Sequence, residues 1–129
     1  MIINIWTTDV NRFSAANYDI IKCIFELNIK LFNTDQPKVI IFTIRDFCKE
    51  REDINWIKES ITGHLKKLWD EISKPAKFLN TKPEDFFTIR FEPISNYWDR
   101  REEFNSDVKA LACRFTDAND KDYYFNHIN

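Results

Sequence analysis

Lys38-Val-Ile-Ile-Phe-Thr-Ile-Arg45-Asp46 is the stretch that decides the fold. Residues 38–44 are rich in β-branched side chains and nearly all apolar with no polar alternation, the pattern of a strand covered on both faces. Such strands belong to parallel sheets with helices on either side. On each side of this strand the chain reads as a helix and then another short strand. Downstream, Ile54, Ile57, Ile61, Leu65, Leu68 and Ile72 recur at spacings of three and four, with Asp53 placed as N-cap and Pro75 as stop. The single Gly63 lies inside that pattern, and Trp69 falls at the edge of the stripe. Upstream, Ser14 is expected to cap a helix running to Phe32, with Ala16, Ile20, Ile24, Leu27 and Leu31 as its buried stripe, widened by Ile21, Phe25 and Phe32.

Further out, Ile2 to Trp6 reads as a short strand, Thr7 to Phe13 as a polar loop and Asn33 to Pro37 as a turn. Lys74 to Glu84 reads as a linker. Phe86 to Phe91 reads as a third strand that turns Phe87, Ile89 and Phe91 to one side. The run Asp99-Arg-Arg-Glu102 resembles a capping box for a last helix to Phe115, with Phe104, Val108, Leu111 and Phe115 on its buried face. Strand and helix alternate three times, which predicts an α/β fold with a mostly parallel sheet flanked by helices. A strand starting almost at the first residue leads to the expectation that the chain begins within a domain.

Composition narrows the function. The 129 residues are 43% hydrophobic and 16% aromatic, enough for a packed core. The formal net charge is −2 with both signs mixed, which gives no electrostatic footprint for nucleic acid or an anionic membrane. Apolar runs stop at four residues or so, as in Val39-Ile-Ile-Phe42, against about 20 for a membrane span. Cys23, Cys48 and Cys113 are odd in number and far apart, so reduced thiols are expected, Cys23 and Cys113 as core packing. His64 and His127 have no ligand-type neighbours at metal spacing. One glycine excludes a glycine-rich phosphate cradle, which needs several backbone positions free of a Cβ.

In open α/β sheets, ligands sit at the carboxyl ends of the strands. At the end of the middle strand, a carboxylate at Asp46 can accept from the ring N1–H and exocyclic amine of guanine, donors that adenine lacks on that edge. Arg45 can lay its guanidinium plane against the base. A solvated turn carries the same dipeptide, so the residues alone leave both readings open. After the first strand, Thr7 to Arg12 is a second candidate loop, with an Asp9–Arg12 ion pair as its ordinary explanation. Arg100 to Glu103 reads as a solvated helix face, and Trp56 and Trp98, near helix starts, are placed to face a partner segment.

Three stretches, in order, resemble the root-hair-defective and Sey-type dynamin-like GTPases, relatives of the atlastins. They are Ile3-Asn-Ile-Trp6 with Asp9, Ala15-Ala-Asn17, Lys22-Cys-Ile-Phe25-Glu-Leu-Asn28 and Leu31-Phe32; then Ile40 to Asp46; then Leu68-Trp-Asp70, Lys74-Pro75, Asp85-Phe-Phe87, Phe104 and Leu111 to Asp117. The resemblance implies a partial three-layer G-domain fold, residues 1–129 forming its C-terminal half. It implies that Arg45 and Asp46 bind guanine, with GTP and Mg²⁺ as ligands of the intact parent and homodimerisation through the G domain. It also implies membrane fusion at the cytosolic face of the endoplasmic reticulum. The family's P-loop, switch threonine and DxxG segment precede the first strand, so no Mg²⁺ ligand and no catalytic residue is expected here, and the chain alone is expected to be inactive. Thr8 stands where many relatives have histidine. The alternative is a non-enzymatic α/β interaction module that binds through an aromatic-rich open edge.

Overall fold

The computed structural model describes residues 1–31 and 38–125. Three strands, β1 (Ile2–Trp6), β2 (Lys38–Arg45) and β3 (Phe87–Pro93), form one sheet in the order β1-β2-β3. Both pairings are parallel, with Ile5 opposite Ile44 and Phe42 opposite Phe91. As its uniform apolar sequence predicts, β2 is central, and Ile40 to Ile44 are buried on both faces. The helices α1 (Phe13–Leu31), α2 (Ile54–Glu71) and α3 (Arg101–Thr116) complete the strand–helix alternation. The result is the expected α/β arrangement, an open parallel sheet with flanking helices.

The core lies on one face of the sheet. Ile3, Ile5, Ile40, Phe42, Ile44 and Phe87 meet Ile21, Phe25 and Ile29 of α1 and Ile57, Ile61, Leu65 and Leu68 of α2. At its centre the Phe25 ring stands edge-on to Trp69, centroids 5.1 Å apart, and Trp69 packs on Phe86 at the same distance. The Trp69 indole N–H donates to the Thr81 carbonyl at 3.0 Å, so the one polar atom of the ring is satisfied. Trp69 is therefore the hub of the core, not the margin of a helix stripe.

α2 follows its sequence closely. The Asn55 backbone N–H donates to the Asp53 carboxylate at 2.9 Å, the N-cap expected there. Asp53→Ala is expected to cost about 1 kcal/mol, read as a lower urea midpoint with an unchanged slope. Gly63 faces open space with no atom near its missing Cβ.

Elsewhere the structure departs from expectation, in each case because tertiary contacts outweigh local pattern. Thr7–Arg12 is a 3-10 turn feeding straight into α1, anchored by buried Val10, so Ser14 lies inside the helix and is not its cap. α1 is rotated from the expected stripe: Ile21, Phe25, Asn28 and Ile29 are buried, while Ile20 and Leu27 are 58% and 47% exposed and Ile24 only packs against the core's margin. The side chains of Ala16 and Leu31, Phe32 and the Asn33–Pro37 turn lie outside the described residues. The linker 74–84 contains the 3-10 turns Ala76–Phe78 and Pro83–Asp85. Cys23 is exposed and Cys113 half-buried, so neither is the core residue expected, whereas Cys48 is buried.

α3 departs most. Its N-cap is Arg100 with no side-chain cap, and none of Phe104, Val108, Leu111 or Phe115 is fully buried. The cause is the surface it covers. The second face of the sheet is mixed, carrying Asn4, Thr43, Arg45, Arg90 and Glu92 beside Ile2, Trp6, Val39 and Ile41. α3 meets it through Phe104 against Arg45 and through an Arg114–Glu92 ion pair. The segment after α3 returns to the same place, where the Tyr124 hydroxyl donates to Glu92 and the Tyr124 N–H donates to the Arg114 carbonyl at 2.9 Å.

Candidate functional site

Because all three strands run the same way, Trp6, Arg45 and Pro93 bring their ends to one edge of the molecule. At this edge β2 ends in a sharp turn. Asp46 has φ 58°, the left-handed region, which Asp and Asn enter more readily than other residues with a Cβ. Just beyond, the Phe47 N–H donates to the Ile94 carbonyl at 3.0 Å, which ties this turn to the one that follows β3.

The two predicted residues part company here. Arg45 lies on the sheet's second face, its guanidinium 5.2 Å from the Trp6 ring centre and 5.8 Å from that of Phe104. Both spacings are those of cation–π contacts. Its Nε is buried and has no partner among the described residues. Asp46 points instead toward the loop after β3, where Asn96 Nδ2 donates to its Oδ1 at 3.0 Å. A carboxylate oxygen has two acceptor sites, so Asp46 keeps capacity for further donors.

The loop after β3 is itself held in place. Asn96 Oδ1 accepts from the Trp98 and Asp99 backbone N–H groups, both at 2.8 Å. The Asp99 N–H is thereby engaged and cannot donate the return bond to Glu102 that a capping box requires. The Ser95 N–H donates to Asp107 at 2.9 Å, and Tyr97 lies against Phe104 at 5.1 Å with the Arg101 guanidinium 3.5 Å from its ring centre. Trp98 is 82% exposed at the rim.

The loop after Asp46 closes the other side. Cys48 Sγ donates to Glu50 at 3.2 Å, the Cys48 N–H donates to Glu52 at 2.8 Å, and Arg100 pairs with Glu50 at 3.1 Å. The Cys48 thiol, then Glu50's own backbone N–H, then Arg100 hold the Glu50 carboxyl below its ordinary range. Arg100 belongs to this inter-loop tie and is not simply part of a solvated helix face. On the far side of the edge, a shallow cavity of about 290 Å³ lies between Thr7 and the start of α2, lined by Arg51, Glu52, Asp53, Trp56 and Ile57. It does not include Arg45 or Asp46. The second candidate loop has its ordinary explanation, an Asp9–Arg12 pair at 3.2 Å.

Chemically, the edge offers a carboxylate with spare acceptor sites, while the Arg45 Nε is enclosed on the sheet's second face beside Trp6 and Phe104. A carboxylate of this kind can accept from two adjacent N–H donors on one edge of a planar ring. Among the described residues no group of three His, Cys, Asp or Glu is placed to hold a metal ion, so no cation is assigned to these side chains. No helix among them is long and apolar enough to cross a membrane. Asn96 escaped the sequence reading. It lies 50 residues from Asp46 with no motif around it, and only the pairing of β2 with β3 brings the two together.

Comparison with known proteins identifies the family. The model for the Root hair defective 3 GTP-binding protein (RHD3) GTPase domain matches residues 1–128. Protein SEY1 of Yarrowia lipolytica is 36% identical over 129 residues, covering 99% of this chain and 14% of the relative. Protein SEY1 of Eremothecium gossypii is 33% identical, covering 98% of this chain and 16% of the relative. Protein SEY1 homolog 2 of Trichomonas vaginalis is 36% identical, covering 97% and 16%. The chain thus spans only 14–16% of the length of these relatives. A family model matched along almost the whole sequence, with relatives matched throughout, makes this chain a member of the RHD3/SEY1 family of GTPase domains.

Proposed function

We propose that this chain carries the base-reading part of a GTP-binding domain. Asp46 accepts the N1–H and exocyclic amine of guanine, and Arg45, braced by Trp6 and Phe104, lies beside the base. The observation that supports this is the Asp46 carboxylate at the carboxyl end of the central parallel strand, on a left-handed backbone and steadied by Asn96. Phosphate and Mg²⁺ contacts fall to residues other than these, because the one glycine lies in α2 and no phosphate cradle can be formed from this sequence. On this reading residues 1–129 form the C-terminal half of the GTPase domain and do not hydrolyse GTP alone. In the intact protein the domain pairs with a second copy and serves membrane fusion on the cytosolic face of the endoplasmic reticulum.

Asp46→Asn tests the assignment, because Asn tolerates the left-handed backbone while presenting a donor where guanine needs an acceptor. With ¹⁵N-labelled chain titrated by NMR, GMP is expected to bind at least about tenfold more tightly than AMP. The variant should lose that preference while keeping a folded spectrum. GMP binding equal to wild type in Asp46→Asn sinks the assignment.

A second reading, an interaction module, is favoured by the exposure of Ile20 and Leu27 on α1 and of Trp56 and Trp98. It predicts concentration-dependent association in sedimentation. A monomer at all concentrations that binds no hydrophobic dye removes it.

A further inference from the structure

Among the described residues Asn96 is the side chain hydrogen-bonded to the Asp46 carboxylate, and its chemistry is fixed by its neighbours. The Asn96 amide could in principle be turned either way. Two backbone N–H groups, from Trp98 and Asp99, converge on one of its terminal atoms at 2.8 Å each, and only an oxygen can accept them. The other terminal atom is therefore the NH₂, and it faces Asp46 Oδ1 at 3.0 Å. The amide thus does two jobs through two atoms: its oxygen builds the turn after β3, and its nitrogen supplies a donor to Asp46.

That donor matters because the carboxylate is otherwise poorly defined. The terminal torsion of an Asp side chain is broad, and the residue sits on a turn with left-handed φ. Bidentate reading of a planar base requires the carboxylate plane to be fixed beforehand, since ordering it during binding would weaken the complex. A hydrogen bond to one lone pair of Oδ1 fixes the plane and leaves the remaining lone pairs for a ligand. The neighbouring ties, Phe47 N–H to the Ile94 carbonyl at 3.0 Å and Arg100 to Glu50 at 3.1 Å, keep the two loops in register so that the amide stays within reach.

We propose that Asn96 is the positioning residue for base recognition: its NH₂ orients the Asp46 carboxylate and holds it as an acceptor, and so sets the preference for guanine over adenine. This rests on the assignment of Asp46 as the guanine reader.

Asn96→Asp separates the two jobs of the amide. The oxygen that builds the turn is kept, and the donor becomes a second carboxylate facing Asp46. Two carboxylates at hydrogen-bond distance hold one shared proton more tightly than an isolated acid does. Near neutral pH the variant has two acceptors in opposition; as pH falls the shared proton restores a donor toward Asp46. The charged groups of the adjoining loops and of α3, Glu50 in its pair with Arg100 and Glu52 and Asp107 in backbone hydrogen bonds, are the same in wild type and variant, so comparing the two at each pH isolates the exchanged side chain. The titrating phosphate of the ligand cancels in the same way.

The test is an NMR titration of the 129-residue chain with GMP and AMP, for wild type, Asn96→Asp, Asn96→Ala and Asp46→Asn, at about pH 7.5 and about pH 5. Asn96→Asp is expected to bind GMP roughly tenfold more weakly than wild type at the higher pH, and to recover to within about threefold at the lower. Asn96→Ala should lose affinity at both. Asn96→Asp binding as wild type does at the higher pH, while Asp46→Asn fails, overturns the role of Asn96 and leaves the base reading standing. Loss without recovery at low pH, or loss accompanied by an unfolded spectrum, shows that the residue only builds the turn and overturns the proposal. GMP binding retained in Asp46→Asn removes the base reading and this inference with it.

Discussion

Trp69→Ala is expected to destabilise the chain by about 3–5 kcal/mol, the range for deleting a large aromatic from a close-packed core. Trp69 is completely buried and touches elements from three parts of the sequence: Phe25 on α1, Phe86 at the entry to β3 and, through its indole N–H, the Thr81 carbonyl. Removing it opens a cavity between α1, α2 and the sheet and leaves the Thr81 carbonyl without its donor. Against a typical domain stability of about 5–15 kcal/mol, that is a large share. Trp69→Phe separates the contributions. It keeps most of the ring packing and loses the hydrogen bond, for which about 1–2 kcal/mol is expected. Urea denaturation followed by far-UV circular dichroism gives both values. A cost below about 1 kcal/mol for Trp69→Ala contradicts a core organised around this residue.

How far the sequence discloses the molecule depends on whether a residue's role is set locally. β2 and α2 are legible because one is nearly all apolar and rich in β-branched residues and the other keeps strict three-and-four spacing with Asp53 at its start. α1 is different. Apolar residues at 20, 21, 24, 25, 27 and 29 wrap most of its circumference, so periodicity allows several inward faces. The choice is made by Phe25 reaching Trp69 and Phe87, and by Asn28 accepting a hydrogen bond from Lys38 at 3.0 Å at the start of β2. At α3 the Asp99–Glu102 spacing suggested a capping box, but the Asp99 amide is engaged by Asn96. The same logic divides the candidate site. That Arg45 and Asp46 stand at the end of a buried parallel strand is legible, whereas the Asn96 contact and the Trp6–Arg45–Phe104 stack exist only once β1, β3 and α3 are placed around them.

Glu92 carries the second large effect, and it concerns how the second face of the sheet is held closed. The Glu92 side chain is 11% exposed and that of Arg114 22%, and the Tyr124 hydroxyl donates to the same carboxylate. Burial first, with Arg114 opposing it, raises the Tyr124 hydroxyl above its ordinary value, so the neutral phenol is the form the fold retains. Its contribution is whole below about pH 10, the unfolded value, and declines as pH rises through the higher folded value. Glu92→Ala strips both donors of their acceptor and leaves the Arg114 charge partly buried. Breaking a buried pair from one side costs about 3–5 kcal/mol; because Arg114 is near enough to the surface to turn toward water, about 2–3 kcal/mol is expected. If unpaired charge is the cause, removing the charge should restore stability. Glu92→Leu combined with Arg114→Met replaces both partners by apolar groups of similar size, and it should return to within about 1 kcal/mol of wild type. Tyr124 loses its acceptor in the double variant too, so the gap that remains measures the hydroxyl. Urea midpoints for the single and double variants, with hydrogen exchange at the Tyr124 amide, decide the matter. A double variant as unstable as the single one shows that the Glu92 contacts act through packing of the returning segment and not through the ion pair.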